Sequence, residues 1–146
     1  LVMHPNMVAS LGQFTPDSRL KILPSDTPYR EVFSKSALIV TDYSSVAFDF
    51  AYLRKPVIYY QVDYNEFFSG AHTVDRGYFD YSSDGFGDRA FDVDTLLDLV
   101  SEYISSNCKV KEKYLKRIER TFPFSDKNNC KRVYQAMIEK GYNRID

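Results

Sequence analysis

The stretch ALIVTDYSSVAFDFAYLRKPVIYYQ, residues 37–61, decides the fold. It opens with the apolar run 37–40, which predicts a short buried strand, and nearly ends with a second such run at 57–60. Between them, residues 44–53 predict a helix that is apolar on most sides and that Pro56 cannot continue. A strand, a helix and a strand in this order predict two parallel strands joined by a right-handed crossover.

The N-terminal residues predict further elements of the same kind. Short strands are predicted at 1–3 and 19–23, with a loop over 5–18 between them. A helix is predicted over 27–36, because Thr27 suits the N-cap and Pro28 suits the first helical position.

The C-terminal half is predicted to begin with a long loop, residues 61–91, which includes a short strand near Gly77–Tyr81. Three helices are then predicted at 92–106, 111–122 and 125–142. The last is capped by Ser125 or Asp126 and ended by Gly141. Strands that alternate with helices predict an α/β fold, a Rossmann-like parallel sheet flanked by helices.

Length and composition bound the class of protein. The 146 residues suit one domain spanning 1–146, and the net charge of −1 gives no support for a nucleic-acid partner. Cys108 and Cys130 form neither a disulfide framework nor a metal pattern, so they are interpreted as reduced thiols, with a single disulfide between them as the alternative. No apolar run reaches the length of a membrane span, and no signal peptide is recognised. The opening LVMHPNM resembles mid-strand sequence, so we expect a fragment of a longer protein.

The hydroxyl-rich turn TDYSS, residues 41–45, is the candidate site. It follows a strand of a parallel sheet, where ligands bind outside the carboxyl ends, and it precedes a helix whose first N–H groups attract anions. Thr41, Ser44 and Ser45 would add short donors to a phosphate cradle. Helix capping explains the same serines. A nucleophile elbow is disfavoured, because Ser44 lacks small neighbours. Asp42 would repel an anion, so its side chain is expected to hold the loop or cap the helix.

Other candidates are fewer. His4 follows a predicted strand and would lie at the same sheet edge, where a histidine can carry a proton; a loop histidine with a structural hydrogen bond is the alternative. His72 is interpreted as a surface residue, with a role in a lid left open. The charged residues of the long loop have no metal-ligand spacing, and most are interpreted as solvated; they are Asp63, Glu66, Arg76, Asp80 and Asp84. DGFG, residues 84–87, suits either a turn or a close backbone approach to a ligand.

Four segments together carry a resemblance to a known family: MHP, YREVFSKSALIVTDYSSVAFDFAYLRKPVIYYQVD, GYFDYSSDGFG and NNCKRVYQAMIEKG. In order and spacing they resemble the nucleotide-binding half of the CDP-glycerol:poly(glycerophosphate) glycerophosphotransferases, which build teichoic acids. The resemblance covers residues 2 to 141. It implies the C-terminal domain of a two-domain GT-B enzyme that transfers glycerol phosphate from CDP-glycerol to a poly(glycerol phosphate) chain and releases CMP.

The resemblance also implies roles for residues and partners. His4 corresponds to one of two catalytic histidines, and Thr41, Ser44 and Ser45 correspond to residues that bind the pyrophosphate. No metal or other cofactor is implied. The acceptor and the membrane surface would be met through the missing N-terminal domain, at the cytoplasmic face of the membrane, and the fragment alone would be soluble and inactive. Alternatives are a CDP-ribitol-type phosphotransferase, a GT-B glycosyltransferase that binds a nucleotide sugar, and a non-catalytic binding module.

Overall fold

A computed structural model describes residues 1–3, 5–15, 17–24, 26–71 and 77–141. The chain divides into two compact units, Leu1–Ala37 and Leu38–Asp146. Within the described residues, no helix is long and apolar enough to cross a bilayer. Cys108 and Cys130 are free thiols, as expected.

The first unit departs most from the sequence-based predictions. A 3₁₀ helix, Pro5–Gln13, replaces the predicted loop, because apolar residues at 7, 8 and 11 recur at helical spacing. The predicted strand at 19–23 is wrong, since the described residues of this unit form isolated bridges instead: Val2 with Leu23 and Asp17 with Leu20. Asp17 accepts hydrogen bonds from the Arg19 backbone N–H at 2.8 Å and from its guanidinium at 3.0 Å. These bonds turn the chain where the strand was expected to start.

The predicted helix of the first unit is confirmed, as α1, Tyr29–Lys35, with Phe33 buried. Its predicted cap is wrong. Pro28 occupies the N-cap position, and no side chain makes a capping hydrogen bond there. The Pro28 carbonyl accepts instead from the Glu31 N–H at 2.8 Å, so the first turn closes without Thr27.

The second unit is an α/β layer, which confirms the predicted parallel sheet flanked by helices. Its strands are β1, Ile39–Thr41, β2, Val57–Tyr60, and β3, Gly87–Ala90, all parallel and in the order β1-β2-β3. Its helices are α2, Val46–Tyr52, α3, Tyr64–Glu66, α4, Val93–Ser105, α5, Glu112–Thr121, and α6, Asn129–Glu139, with one π-helical turn, Phe67–Ala71, after α3. The centre of its core is β2, whose Val57, Ile58 and Tyr59 are almost wholly inaccessible to solvent.

The ends of α6 test two further predictions. Neither Ser125 nor Asp126 caps the helix. Asn128 is the N-cap residue, and Asp126 accepts from the Asn128 backbone N–H at 2.9 Å while it pairs with Arg132. Gly141 follows the helix with φ of +83°, a conformation that favours glycine, so the predicted stop is confirmed.

The third strand lies at Gly87–Ala90, and the prediction of a strand near Gly77–Tyr81 is wrong. Gly87 pairs with Val57, and a Cβ at Gly87 would collide with the Val57 carbonyl group. A Cβ at Gly85 would likewise collide with the Tyr81 carbonyl. The two glycines of DGFG therefore leave room for carbonyl groups of the protein's own backbone.

Asp88 joins β3 to two helices. It accepts hydrogen bonds from the hydroxyls of Tyr103 in α4 at 2.9 Å and Tyr114 in α5 at 2.8 Å. The Lys111 ammonium lies 2.9 Å away and Lys113 lies at 3.4 Å. Burial opposes the charged form of Asp88, but these donors outweigh burial and hold its pKa below the usual 3.8. The ionised carboxylate thus stabilises the packing of α4 and α5 on the sheet.

Asp88→Asn is expected to weaken the pH dependence of folding. The pKa of Asp88 is lower in the folded state than in the unfolded state. Its contribution to the unfolding free energy is therefore fully present above the unfolded-state pKa, and it is lost as the pH falls through the folded-state pKa. At pH 7 the variant should lose about 1–3 kcal/mol of unfolding free energy. Urea denaturation at several pH values checks this, and the difference between wild type and variant removes the effect of other carboxylates. Equal loss of stability in acid by both proteins would refute the role of Asp88.

Candidate functional site

The predicted turn follows β1 directly. Thr41 is the last residue of β1 and is half-buried, so the turn starts at the carboxyl end of a parallel strand. Asp42 Oδ1 accepts a hydrogen bond from the Ser44 backbone N–H at 3.1 Å. Asp42 therefore holds the turn and does not cap α2, which resolves the alternatives left by the sequence.

The two serine hydroxyls are exposed. Ser44 Oγ lies 3.5 Å from the Val46 backbone N, a long contact for a hydrogen bond. Ser45 occupies the N-cap position with helical φ and ψ of −63° and −14°, and its side chain makes no capping bond. Capping therefore leaves the Ser45 hydroxyl unexplained.

Tyr43 fixes the turn from its inner side. Its hydroxyl donates to Asp63 Oδ1 at 2.9 Å, and its ring stacks on Phe67 with centroids 3.6 Å apart. The Tyr81 hydroxyl donates to the Tyr43 carbonyl at 3.4 Å, and the two rings meet edge to face. Burial, with the hydrogen bond to Asp63 next, raises the pKa of Tyr43, so this hydroxyl keeps its proton as a donor.

Sequence reasoning missed Tyr43 and Asp63 as a pair. They are separated by 20 positions, and only the fold brings the two residues together. The signal available in the sequence was the high aromatic content, 12 Tyr and 11 Phe, which indicated ring packing without giving partners.

Three of the loop acids make hydrogen bonds or ion pairs, while Glu66 and Asp80 remain exposed as the sequence led us to expect. Asp63 binds Tyr43, as described above. Asp80 Oδ1 accepts from the backbone N–H groups of Ser82 and Ser83, both at 2.8 Å. Asp84 pairs with Arg120 at 2.9 Å. These bonds stabilise the approach to β3, where Tyr81 meets the turn.

A polar pair that the sequence did not single out lies at the same edge of the sheet. Gln61 follows β2 and is fully buried, and Arg89 lies in β3. Arg89 Nε donates to Gln61 Oε1 at 2.8 Å. Both residues line a cleft of about 440 Å³.

The sequence-predicted site residues are thus only partly located. The structure brings Thr41, Ser44 and Ser45 together in one turn. His4, His72 and Arg76 lie outside the described residues. In the part of the chain that is described, no cluster of three or more His, Cys, Asp or Glu side chains could hold a metal ion.

Comparisons with known proteins give the chain a context. Residues 1–139 match the family model described as CDP-Glycerol:Poly(glycerophosphate) glycerophosphotransferase. The chain is 36% identical over 142 residues, 97% of its own length, to "Minor teichoic acid biosynthesis protein GgaB" of Bacillus subtilis (strain 168). It is 39% identical over 61 residues, 42% of its length, to "Teichoic acid glycerol-phosphate primase" of Bacillus spizizenii. The matched segments span 15% and 16% of those two proteins.

Proposed function

We propose, for a chain that belongs to the CDP-glycerol:poly(glycerophosphate) glycerophosphotransferase family, that residues 1–146 bind the donor CDP-glycerol. The reaction would move glycerol phosphate to a poly(glycerol phosphate) teichoic-acid chain and release CMP. The observation that carries the proposal is the turn Thr41–Ser45. It leaves two serine hydroxyls exposed at the carboxyl end of a parallel strand, where α/β proteins bind ligands.

In this proposal the turn binds the pyrophosphate of the donor. Hydroxyls of Thr41, Ser44 and Ser45 donate to its oxygens. The Tyr43–Asp63 hydrogen bond and the Tyr43–Phe67 stack support the turn before the donor arrives. Donors held in advance stabilise developing charge without reorganising during the reaction. The hydrogen bond from the Ser44 N–H holds the Asp42 carboxylate against the turn backbone.

The proposed transfer is a displacement at the phosphorus that bears glycerol. An acceptor hydroxyl oxygen forms the new bond to that phosphorus and passes its proton to a base, a role proposed for the histidine of the other domain. The bond from phosphorus to the bridging oxygen breaks, and its electrons leave with CMP. The turn would stabilise that oxygen, and His4 would donate a hydrogen bond or a proton to the leaving phosphate.

The rest of the enzyme is part of the same proposal. A second Rossmann-like domain would face this one across a GT-B cleft, contribute the other histidine, and meet the acceptor and the cytoplasmic face of the membrane. Support for this arrangement is the family membership and the small share of each relative that the chain matches.

The experiment is a thermal-shift and NMR titration of the chain with CDP-glycerol, CDP-ribitol, CDP, UDP and UDP-sugars. Stabilisation by CDP-glycerol and CDP, with a weaker response to UDP, is the expected result. A preference for UDP would favour a nucleotide-sugar glycosyltransferase, and a preference for CDP-ribitol would change the polyol. No response to any nucleotide would favour a non-catalytic module and refute the proposal.

Replacing both serines tests the residues of the site. Ser44→Ala with Ser45→Ala should weaken CDP-glycerol binding by roughly tenfold or more, because hydrogen bonds to a charged ligand are lost. The melting temperature should hardly change, since both hydroxyls are exposed. The matched control is Ser101→Ala with Ser105→Ala, whose exposed hydroxyls bond only to α4 carbonyls. Unaltered affinity in the Ser44/Ser45 variant would remove the turn from the donor site.

A further inference from the structure

The cleft beside Gln61 and Arg89 is separate in its chemistry from the serine turn. It has a volume of about 440 Å³ and lies where β2 and β3 reach their carboxyl ends. Tyr64 and Phe91 contribute rings to its lining, and Asp63 and Glu66 contribute carboxylates. It therefore combines a cation, flat apolar surfaces and acids in one concave site.

Two buried donors in this cleft lack acceptors. Gln61 Oε1 is taken by Arg89 Nε at 2.8 Å, which fixes the orientation of the amide. Arg89 Nη1 donates to Ser82 Oγ at 2.8 Å. Gln61 Nε2 and Arg89 Nη2 are buried and have no hydrogen-bond partner among the described residues. Unsatisfied buried donors cost free energy, and a pair of them on adjacent side chains favours a ligand that brings acceptor oxygens.

Arg89 forms no direct ion pair among the described residues, although Asp63 and Glu66 line the same cleft and Asp80 lies within range of its charge. Its guanidinium carbon lies 4.3 Å from the Tyr64 ring centroid and 4.6 Å from that of Phe91, so the group is held between two aromatic rings. Its direct hydrogen-bond partners among the described residues are neutral, Gln61 and Ser82. An anionic oxygen would gain more here than a neutral one.

The acids of the lining limit the charge of that anion. Asp63 is engaged with Tyr43, and Glu66 is exposed at the edge of the cleft. Two carboxylates near one guanidinium disfavour a doubly charged phosphate monoester. A group with one negative charge and an organic substituent on each side suits this cleft. Its oxygens can accept from the two donors, and the aromatic rings can cover its substituents.

We propose that this cleft binds a phosphodiester group, with its oxygens on Gln61 Nε2 and Arg89 Nη2. Resting on the proposed function, the ligand is one phosphodiester of the poly(glycerophosphate) acceptor. This domain then holds part of the acceptor as well as the donor, whereas the resemblance led us to expect the acceptor only on the other domain. Because both nitrogens are buried, side chains of the lining have to move for the ligand to reach them.

NMR titration of the wild-type chain tests the proposal directly. The probe is glycerophosphoglycerol, one phosphodiester between two glycerols. The reporters are the Arg89 Nε–H and Gln61 side-chain amide signals. Saturable shifts of both signals are the expected result, with weaker responses to inorganic phosphate and to glycerol. No shift, or a stronger response to inorganic phosphate or to glycerol, overturns the proposal.

Variants then assign the binding to the cleft. Arg89→Gln should weaken glycerophosphoglycerol binding about tenfold or more, because a charge-assisted hydrogen bond is lost. Arg30→Gln makes the same change of charge at an exposed helix position and should bind like wild type. Gln61→Met gives a second, neutral variant that removes only the amide and should also bind more weakly. Unchanged binding in a folded Arg89→Gln protein overturns the proposal.

A parallel titration with CDP-glycerol separates this inference from the proposed function. Binding of CDP-glycerol without any response to glycerophosphoglycerol overturns the phosphodiester cleft alone. A response to glycerophosphoglycerol without any response to cytidine nucleotides supports the cleft and overturns the donor-binding role.

Discussion

Gly87→Ala is expected to prevent stable folding of the unit that spans residues 38–146. The alanine Cβ would collide with the carbonyl oxygen of Val57, and it would also crowd the Val57 side chain. Both groups belong to the central strand β2, where Val57 is fully buried and cannot withdraw. Relief requires β3 to move away from β2, which breaks the parallel pairing that starts at Val57 and Gly87. We expect a loss of about 4 kcal/mol or more, within the range of severe core lesions.

Urea denaturation followed by far-UV circular dichroism measures this loss, and heteronuclear NMR shows whether a folded unit remains. Gly77→Ala is the matched control, since its Cβ would meet no atom within 4 Å. That variant should unfold like wild type. If Gly87→Ala kept the wild-type midpoint, the close approach of β3 to β2 would be wrong.

The same close approach explains why β3 escaped prediction. The segment GDRA contains a glycine and two charged residues, which strands normally avoid, so intrinsic propensity argues against a strand. Each residue is accommodated by a partner distant in sequence. Gly87 admits the Val57 carbonyl, Asp88 binds tyrosines of α4 and α5, and Arg89 binds Gln61. Tertiary contacts of this kind leave no periodic signal along the chain.

The stretch 37–61 was predictable because its signals are local. An apolar run of four residues, a helix between hydroxyls and a proline, and a second apolar run specify β1, α2 and β2 without reference to distant residues. The predicted burial of the first strand is wrong, because β1 spans 39–41 and its Val40 is exposed. In β2 the predicted and observed bounds coincide at 57–60. In the first unit, the alternating pattern of RLKIL led to a wrong prediction of a strand. The Asp17 side chain accepts hydrogen bonds from Arg19 and turns the chain there.

The candidate site divides in the same way. Thr41, Ser44 and Ser45 were singled out from the sequence because they follow a predicted parallel strand. Ligands of parallel sheets bind at the carboxyl ends of the strands, and the order of elements is enough to find these ends. The residues that hold the turn, Tyr43 and Asp63, and the cleft pair, Gln61 and Arg89, depend on contacts across 20 and 28 positions. The order of elements along the chain thus pointed to the hydroxyls of the turn, whereas both of these pairs required the fold.

His4→Ala, made in the full-length enzyme, is expected to lower kcat by about 10²–10⁴-fold, the usual contribution of a positioned proton donor or acceptor. The reason is that the turn and His4 have different roles in the proposed mechanism. The hydroxyls of the turn would bind the pyrophosphate in the ground state as well as during transfer. A proton or strong hydrogen bond from His4 would matter mainly as the bridging oxygen gains charge. Affinity for CDP-glycerol should therefore change little, by less than about threefold, while turnover collapses.

Two measurements separate this role from a structural one. The dissociation constant of CDP-glycerol and the single-turnover rate are determined for His4→Ala and for His72→Ala, the control that removes the other histidine of this chain. A His4→Ala enzyme with the wild-type single-turnover rate would make His4 a structural residue. A rate loss with an equal loss of donor affinity would place His4 in donor binding alone. The proposed mechanism requires that the transfer rate falls while the affinity for CDP-glycerol is kept. Only the loss of an interaction that is stronger in the transition state than in the ground state has this effect.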